Sequence, residues 1–243
     1  MPTRWLVDGE ANTALWRELF EMPLRLVDSS GQWVADLGGG GGSFVGPLRR
    51  KEARMVTVDV DLAALRAARD IRRVAASVLH LPFRDGSLDA AAGRAILHHV
   101  PDHLDVALGE TRRVVKSGGL VLFQEPTAGN ALASFARHRF PTEVHDPRER
   151  PLSWEAYLDA IGRHFEVLEA RPYFLSSYLL PHLVGRLPRH RRKFARALTR
   201  ALFAWDRRLM AALPNLRRHA AYVAILAQRP RFAARRPGVW NKV

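Results

Sequence analysis

Residues 33–44 read Trp-Val-Ala-Asp-Leu-Gly-Gly-Gly-Gly-Gly-Ser-Phe: an apolar run ending in an acid, five consecutive glycines, then the start of a helical stretch. Glycine has no Cβ, so it takes positive φ freely and lets a ligand approach the main chain. The helix that follows offers unpaired N–H groups at its first turn, and an acid at a strand end can accept hydroxyls or hold a cation. In that order these parts make a small-molecule cradle at the carboxyl edge of a parallel sheet. A glycine run alone also suits a flexible linker; the flanking strand and helix argue against that use.

Spacing narrows the ligand. The dinucleotide fingerprint Gly-x-Gly-x-x-Gly places Ser43 or Phe44 in its last slot, where helix–strand packing needs glycine. No Gly-Lys-Ser/Thr follows, so the phosphate-loop pattern fails as well. The arrangement Asp36-x-Gly38-x-Gly40-x-Gly42 resembles motif I of the class I S-adenosylmethionine (SAM)-dependent methyltransferases. The resemblance implies SAM as cofactor, with Asp36, Gly38, Gly40 and Gly42 at its site.

Met55-Val56-Thr57-Val58-Asp59 is a second β-rich run ending in an acid, 23 residues after Asp36. An acid at about that distance in a βαβ unit meets a ribose diol, since one carboxylate accepts two hydroxyl hydrogen bonds. By resemblance Asp59 takes the ribose and Val60 flanks the adenine. Asp61 reads as the N-cap of a helix over Leu62–Asp70.

A third strand is expected over Val74–Val78, and Leu81-Pro82-Phe83-Arg84-Asp85-Gly86-Ser87-Leu88-Asp89 resembles the family segment leading into strand 4. Where the family usually has an acid for the adenine amino group, this chain has Ser77, an uncharged acceptor, beside the Val78 backbone. Asp89–Gly93 is strand 4, and Arg94 at its end counts among the cofactor contacts implied. Arg94-Ala95-Ile96-Leu97-His98-His99-Val100 again resembles a family segment. The Asn/Asp-Pro-Pro-Tyr sequence of enzymes that methylate base amino groups is absent. Adjacent histidines point in different directions, so no metal is expected at His98–His99. For a hydroxyl or similarly weak acceptor, His99, or His145 from the loop after strand 5, is the candidate general base; packing or capping is the alternative for the His98–His99 pair.

A helix is expected over Leu104–Val115, stopped by Lys116–Gly119, then strand 5 over Leu120–Pro126. Glu125, at the carboxyl edge, either lines the acceptor pocket or holds the next loop. Ser153 caps a helix with Glu155 in its first turn; Phe165–Leu168 and Ala221–Ala227 are strands 6 and 7. Residues 10–29 carry Leu15, Trp16, Leu19, Phe20 and Leu24 at helical spacing.

The net charge of +14 is unevenly placed: residues 1–130 balance at 16 basic and 16 acidic, while 186–236 hold 15 basic residues against Asp206 alone. There, in an insert over 175–218, Phe194, Leu198, Leu202, Trp205, Leu209 and Leu213 recur at 4-4-3-4-4 spacing, and Arg192, Arg196, Arg200 and Arg207 fall opposite. This is a basic amphipathic helix. Three uses stay open: a lid with a solvated Arg face, a rest on an anionic membrane surface beside a lipid-linked substrate, or phosphate contact in nucleic acid. Absence of stacking aromatics on the charged face weakens the last.

The chain has no cysteine, which excludes disulfides and thiolate chemistry. No signal-like start and no run of about 18 apolar residues is visible, favouring the cytoplasm with peripheral contact at the inner membrane face. The fold expected is α/β: a Rossmann-like seven-stranded, mostly parallel sheet with helices on both faces and a helical lid between strands 6 and 7. The order 3-2-1-4-5-7-6 follows from the resemblance. One domain spans 1–243, with an N-terminal helix over 1–30, a SAM-binding core over 31–174 and the insert. The function expected is SAM-dependent methyl transfer to a small-molecule or glycolipid-type acceptor at oxygen. The alternatives are an inactive SAM-fold binding module and a nucleic-acid methyltransferase; an NAD-dependent oxidoreductase fails on glycine spacing.

Overall fold

The computed structural model describes residues 22–28, 30–42, 48, 51–67, 71–139, 149–179, 184 and 187–231. Seven strands form one sheet: β1 Trp33–Leu37, β2 Arg54–Asp59, β3 Arg72–Ala75, β4 Leu88–Arg94, β5 Val115–Pro126, β6 Glu166–Tyr173 and β7 Tyr222–Gln228. Their order is β3-β2-β1-β4-β5-β7-β6, as expected. The β1–β5 pairings are parallel, whereas β7 runs antiparallel to both neighbours. The order changes direction beside β1 and β4, so their carboxyl ends open a crevice.

The strands bury both faces, with alternate residues serving different cores. Ala35, Leu37, Val56, Val58, Ala91, Val121 and Phe123 point to one face, covered by helices α2 (Leu104–Val114) and α4 (Trp154–Gly162) through Leu108, Tyr157 and Ile161. Val34, Met55, Ala90, Ala92 and Leu122 point to the other. There they meet Met22, Leu26, Leu48, Ala133 of α3 (Ala131–Arg139) and Phe203 of α5 (Arg189–Ala212).

Local chemistry sets the element ends. Ser153 Oγ accepts from the Ala156 N–H at 3.1 Å, the expected cap of α4. Asp61 Oδ1 accepts from Ala63 and Ala64 at 2.8 and 3.1 Å, capping α1 (Leu62–Ala67). β3 lies earlier than its sequence reading, because its register with β2 ends at Asp59–Ala75; Ser77 and Val78 therefore belong to the loop beyond it. β5 starts directly at Val115, and residues 116–119 form an irregularity in its ladder with β4, where the register passes from Leu88–Val115 to Ala90–Leu120 and Gly118 has φ +79. The carbonyls ending α2 are taken instead by the Arg229 guanidinium, which donates to Arg112, Arg113 and Val115 at 2.8, 3.2 and 2.6 Å.

The 81–89 segment is bolted to α2 by Arg113. Its guanidinium donates to Leu81 O at 2.9 Å, and to Phe83 O and Asp85 Oδ1 at 2.8 Å. It also donates to both oxygens of Glu110, at 2.8 and 2.9 Å.

The insert does hold a long helix, α5, packed on β6 and the turn Ser177–Leu179. Its docked face is Thr199, Phe203, Asp206 and Met210, and Phe194, Leu198, Trp205 and Leu213 of the apolar stripe are exposed. The buried acid decides this. Asp206 Oδ2 accepts the backbone N–H groups of Leu175, Ser176 and Ser177, each at 2.9 Å, and Oδ1 accepts from Ser176 Oγ at 2.7 Å. Four donors on one carboxylate outweigh the apolar stripe in orienting the helix. Among the described residues, no helix is long and apolar enough to cross a membrane. The expected helix over 10–29 and the crossover helix after the glycines lie largely outside the described residues.

Candidate functional site

The crevice at the carboxyl ends of the strands is a cleft of about 1090 Å³. Gly38–Gly41 form one wall. Gly38 (φ +63) donates its N–H to Val58 O at 2.8 Å, tying the loop to β2. A Cβ there would stand 2.5 Å from Ile96 Cδ1, and one at Gly39 would stand 2.4 Å from Asp36 Cγ. Side chains are excluded at both positions. At Gly41 a Cβ would meet nothing within 4 Å, so here the main chain faces open space.

Asp59 holds this wall in place. Its Oδ2 accepts the Gly40 N–H at 2.9 Å and its Oδ1 the Asp61 N–H at 2.8 Å. A carboxylate has about four acceptor positions, so two remain for a ligand in the cleft. Val60 beside it is 71% exposed, an apolar side chain open to the cleft lining. Ser77 Oγ accepts the Leu79 N–H at 3.1 Å, and Ser77 and Val78 both line the cleft.

Two expected cofactor residues lie elsewhere. Asp36 is fully buried beneath Gly39 and does not line the cleft, and Gly42 (φ +95) turns away after donating to Gly39 O at 2.7 Å. Steric closeness explains the first: the strand-end carboxylate sits where a Gly39 side chain would be. Asp36 acts instead on Arg94, which does line the cleft. Burial lowers the Arg94 pKa from its usual value, opposed by electrostatic attraction to Tyr222 and to the Asp36 carboxylate.

Beyond Arg94 the chain turns sharply through Ala95, a non-glycine at φ +54, so the cleft wall carries backbone strain. Glu125 stabilises this turn: it is fully buried, and Oε1 accepts the N–H groups of Ile96 and Leu97 at 2.9 and 3.0 Å. Its Oε2 accepts from His98 Nδ1 at 2.9 Å. Glu125 thus holds the turn after β4 rather than the loop that follows it in the chain, and it is not part of the cleft lining, so neither role left open by sequence describes it.

His98 and His99 share a 3-10 turn, Leu97–His99, with ring centroids 4.3 Å apart. Both line the cleft, together with Glu149 from the segment after β5. That segment is pinned by Arg150 N–H to His98 O at 3.1 Å and Ala128 N–H to Leu152 O at 2.9 Å. Glu149 oxygens stand 3.8 Å from His98 Nε2 and 3.6 Å from His99 Nδ1. Tyr178 and Tyr222, stacked at 26° with centroids 6.2 Å apart, also line the cleft.

The fold thus brings Gly38, Gly40, Asp59, Val60, Ser77, Val78, Arg94 and His99 to one cleft. His145 lies outside the described residues. Glu149, Tyr178 and Tyr222 were not expected there; no local pattern marks Glu149, and the two tyrosines reach the cleft only through the 177–179 turn and the start of β7. Among the described residues α5 contributes nothing to the lining, so its lid role is not seen in contact with the cleft.

Residues 35–123 match the family model described as "Methyltransferase domain". Malonyl-(acyl-carrier protein) O-methyltransferase of Hamiltonella defensa is 31% identical over 118 residues, 45% of each chain. Demethylmenaquinone methyltransferase of Thermobifida fusca is 35% identical over 120 residues, 45% of this chain and 49% of that one. The chain therefore spans about half the length of these curated relatives. Among solved structures, a SAM-dependent methyltransferase of Thermotoga maritima, described as a possible histamine N-methyltransferase, superimposes with TM-score 0.61 at 18% identity, covering 90% of this chain and 91% of that one. At that identity the likeness concerns the fold.

Proposed function

We propose that the chain, whose residues 35–123 match a methyltransferase domain, is a class I SAM-dependent methyltransferase that transfers the methyl group of SAM to an oxygen of a small-molecule or glycolipid-type acceptor. The observation that carries the reading is the Asp59 carboxylate, bonded to Gly40 at 2.9 Å, with acceptor positions to spare beside main chain open to the cleft. That arrangement fits a ribose diol, Val60 fits one face of a purine, and Ser77 with the Val78 backbone fits its edge. SAM supplies an activated methyl on a sulfonium, so little covalent chemistry is asked of the protein. Its residues have to hold donor and acceptor in line.

The acceptor's place is the β4–β5–β7 side of the cleft, lined by Arg94, His98, His99, Glu149, Tyr178 and Tyr222. The tyrosines offer an apolar wall with polar tips. A hydroxyl acceptor must lose a proton, and His99 is the imidazole proposed to take it.

The exposed stripe of α5 favours a lipid-linked acceptor. Phe194, Leu198 and Trp205 are 77%, 47% and 59% exposed, with Arg191 and Arg208 exposed beside them. Apolar and aromatic side chains between cationic ones suit the boundary of an anionic membrane. Asp206 connects this helix to the 175–177 backbone just before Tyr178 in the cleft wall. The test is S-adenosylhomocysteine formation from SAM with candidate acceptors, with and without anionic vesicles. Turnover raised by acidic vesicles and unchanged by zwitterionic ones supports the reading; a folded protein that binds SAM yet turns over none of the acceptors offered in vesicles or in solution favours a binding module.

A further inference from the structure

We infer that His98, His99 and Glu149 form a binding site for a single divalent transition-metal ion of the zinc class, opening into the cleft. One ligand atom from each residue lies within 4.8 Å of the others. Sequence adjacency does not keep the two imidazoles apart. Their 3-10 turn brings His98 Nε2 and His99 Nδ1 to opposite oxygens of one carboxylate, at 3.8 and 3.6 Å. Those separations are too long for hydrogen bonds. A tetrahedral zinc ion, with bonds of about 2.0–2.1 Å, needs ligand atoms about 3.3 Å apart, so atoms that lie within 4.8 Å of one another must draw in by up to about 1.5 Å to close the set.

The surroundings of His98 argue for a metal more strongly than the distances do. His98 is 95% buried, its side chain 6% exposed, and Nδ1 is bonded to the fully buried Glu125 at 2.9 Å. Glu125 accepts at Nδ1, which leaves Nε2 as the ring nitrogen that faces Glu149 and the cleft. A carboxylate behind one ring nitrogen with the other directed at a cation is the usual support of a metal-bound histidine. Glu125 also fixes the backbone of Ile96 and Leu97, so turn and ring are set together. Glu149 is delivered by the pinned backbone of Arg150. A divalent cation would balance the two carboxylates.

Two imidazoles and one carboxylate suit zinc or its neighbours and not magnesium or calcium, which prefer oxygen sets. Three protein ligands leave at least one position open on the cleft side, where an oxygen of the acceptor would coordinate. With a cation there His99 would be a ligand, and the ion would lower the pKa of the coordinated hydroxyl so that its proton passes to solvent, in place of the base role given to His99 above. That last step rests on the methyl-transfer reading; the metal site does not.

The test uses the full chain freed of metal by chelation and dialysis. Cobalt(II) is titrated while its visible ligand-field bands are followed, and zinc is titrated in competition with a chromogenic chelator. The expected result is one ion per chain with bands of low-symmetry nitrogen and oxygen coordination. Zinc affinity should fall at least about tenfold in Glu149→Gln, in His99→Ala and in Glu125→Gln. Far-ultraviolet dichroism checks folding; His99, its side chain 34% exposed, is the variant least able to disturb the core. Absence of stoichiometric binding, or binding unchanged in both His99→Ala and Glu149→Gln, overturns the site and leaves ion-paired histidines. SAM titrated into the same metal-free chain separates the readings. SAM binding without metal binding removes the metal site alone; metal binding without SAM binding removes the methyl-transfer reading alone.

Discussion

Asp59 Oδ2 accepts the N–H of Gly40 at 2.9 Å, so the acid ending β2 holds the glycine turn that ends β1. The same carboxylate is therefore a scaffold for the cradle and the group best placed to bind a diol within it. Contacts around that pair lead to predictions that separate binding from folding.

Gly39→Ala should abolish cofactor binding. Its Cβ would lie 2.4 Å from Asp36 Cγ, beneath the loop, and the loop must shift to relieve it. Overpacking of this kind costs about 1–3 kcal/mol. Thermal denaturation should show a loss within that range, with a cooperative transition retained, while calorimetry shows no SAM uptake. Unchanged binding would contradict the packed geometry of the turn.

Asp206→Ala should destabilise the fold by about 3 kcal/mol, since three backbone N–H groups lose a charged acceptor. Asp206→Asn keeps an acceptor oxygen and should lose less. Denaturant unfolding of both variants checks the order.

Stability should fall in acid through Glu110. The hydrogen bonds from Arg113 hold the Glu110 pKa at about 2, against 4.5 ordinarily. A carboxyl with a lower pKa in the folded than the unfolded chain gives stability that is full above pH 4.5 and is lost as the pH falls toward about 2. After screening by solvent we expect about 1–2 kcal/mol from this group. Glu110→Gln should flatten that part of the stability–pH curve; an unchanged slope would contradict the assignment.

Vesicle binding should depend on the exposed stripe of α5. Phe194→Ala with Trp205→Ala should weaken co-sedimentation with anionic vesicles by about tenfold or more, from the lost apolar burial. The docked face, Thr199, Phe203, Asp206 and Met210, is untouched, so the melting temperature should hold. Added salt should weaken wild-type binding too.

The centre of the sheet was legible in the sequence because β1, β2, β4 and β5 are apolar runs that end beside an acid, a glycine or a proline, and those stops sit at the carboxyl edge. Asp61 and Ser153 caps were legible because capping is local chemistry. Facing was not. Spacing in α5 grouped Phe194, Leu198 and Trp205 correctly on one side, but a buried acid turned another side inward. Asp36 shows the same limit: its position at a strand end is right, yet Gly39 covers it. Glu149 reaches His98 across a connection whose path no local pattern specifies. Sequence period reports which residues share a face; long-range polar partners decide where that face points.

The most direct measurement is calorimetric titration of SAM and S-adenosylhomocysteine into wild type and Asp59→Ala. The account predicts saturable binding of both to the wild type. It predicts a loss of about 1–3 kcal/mol in the variant, the cost of a charge-assisted hydrogen bond, with the fold intact by dichroism. A folded wild type that binds neither compound, or an Asp59→Ala that binds both equally well, would contradict it.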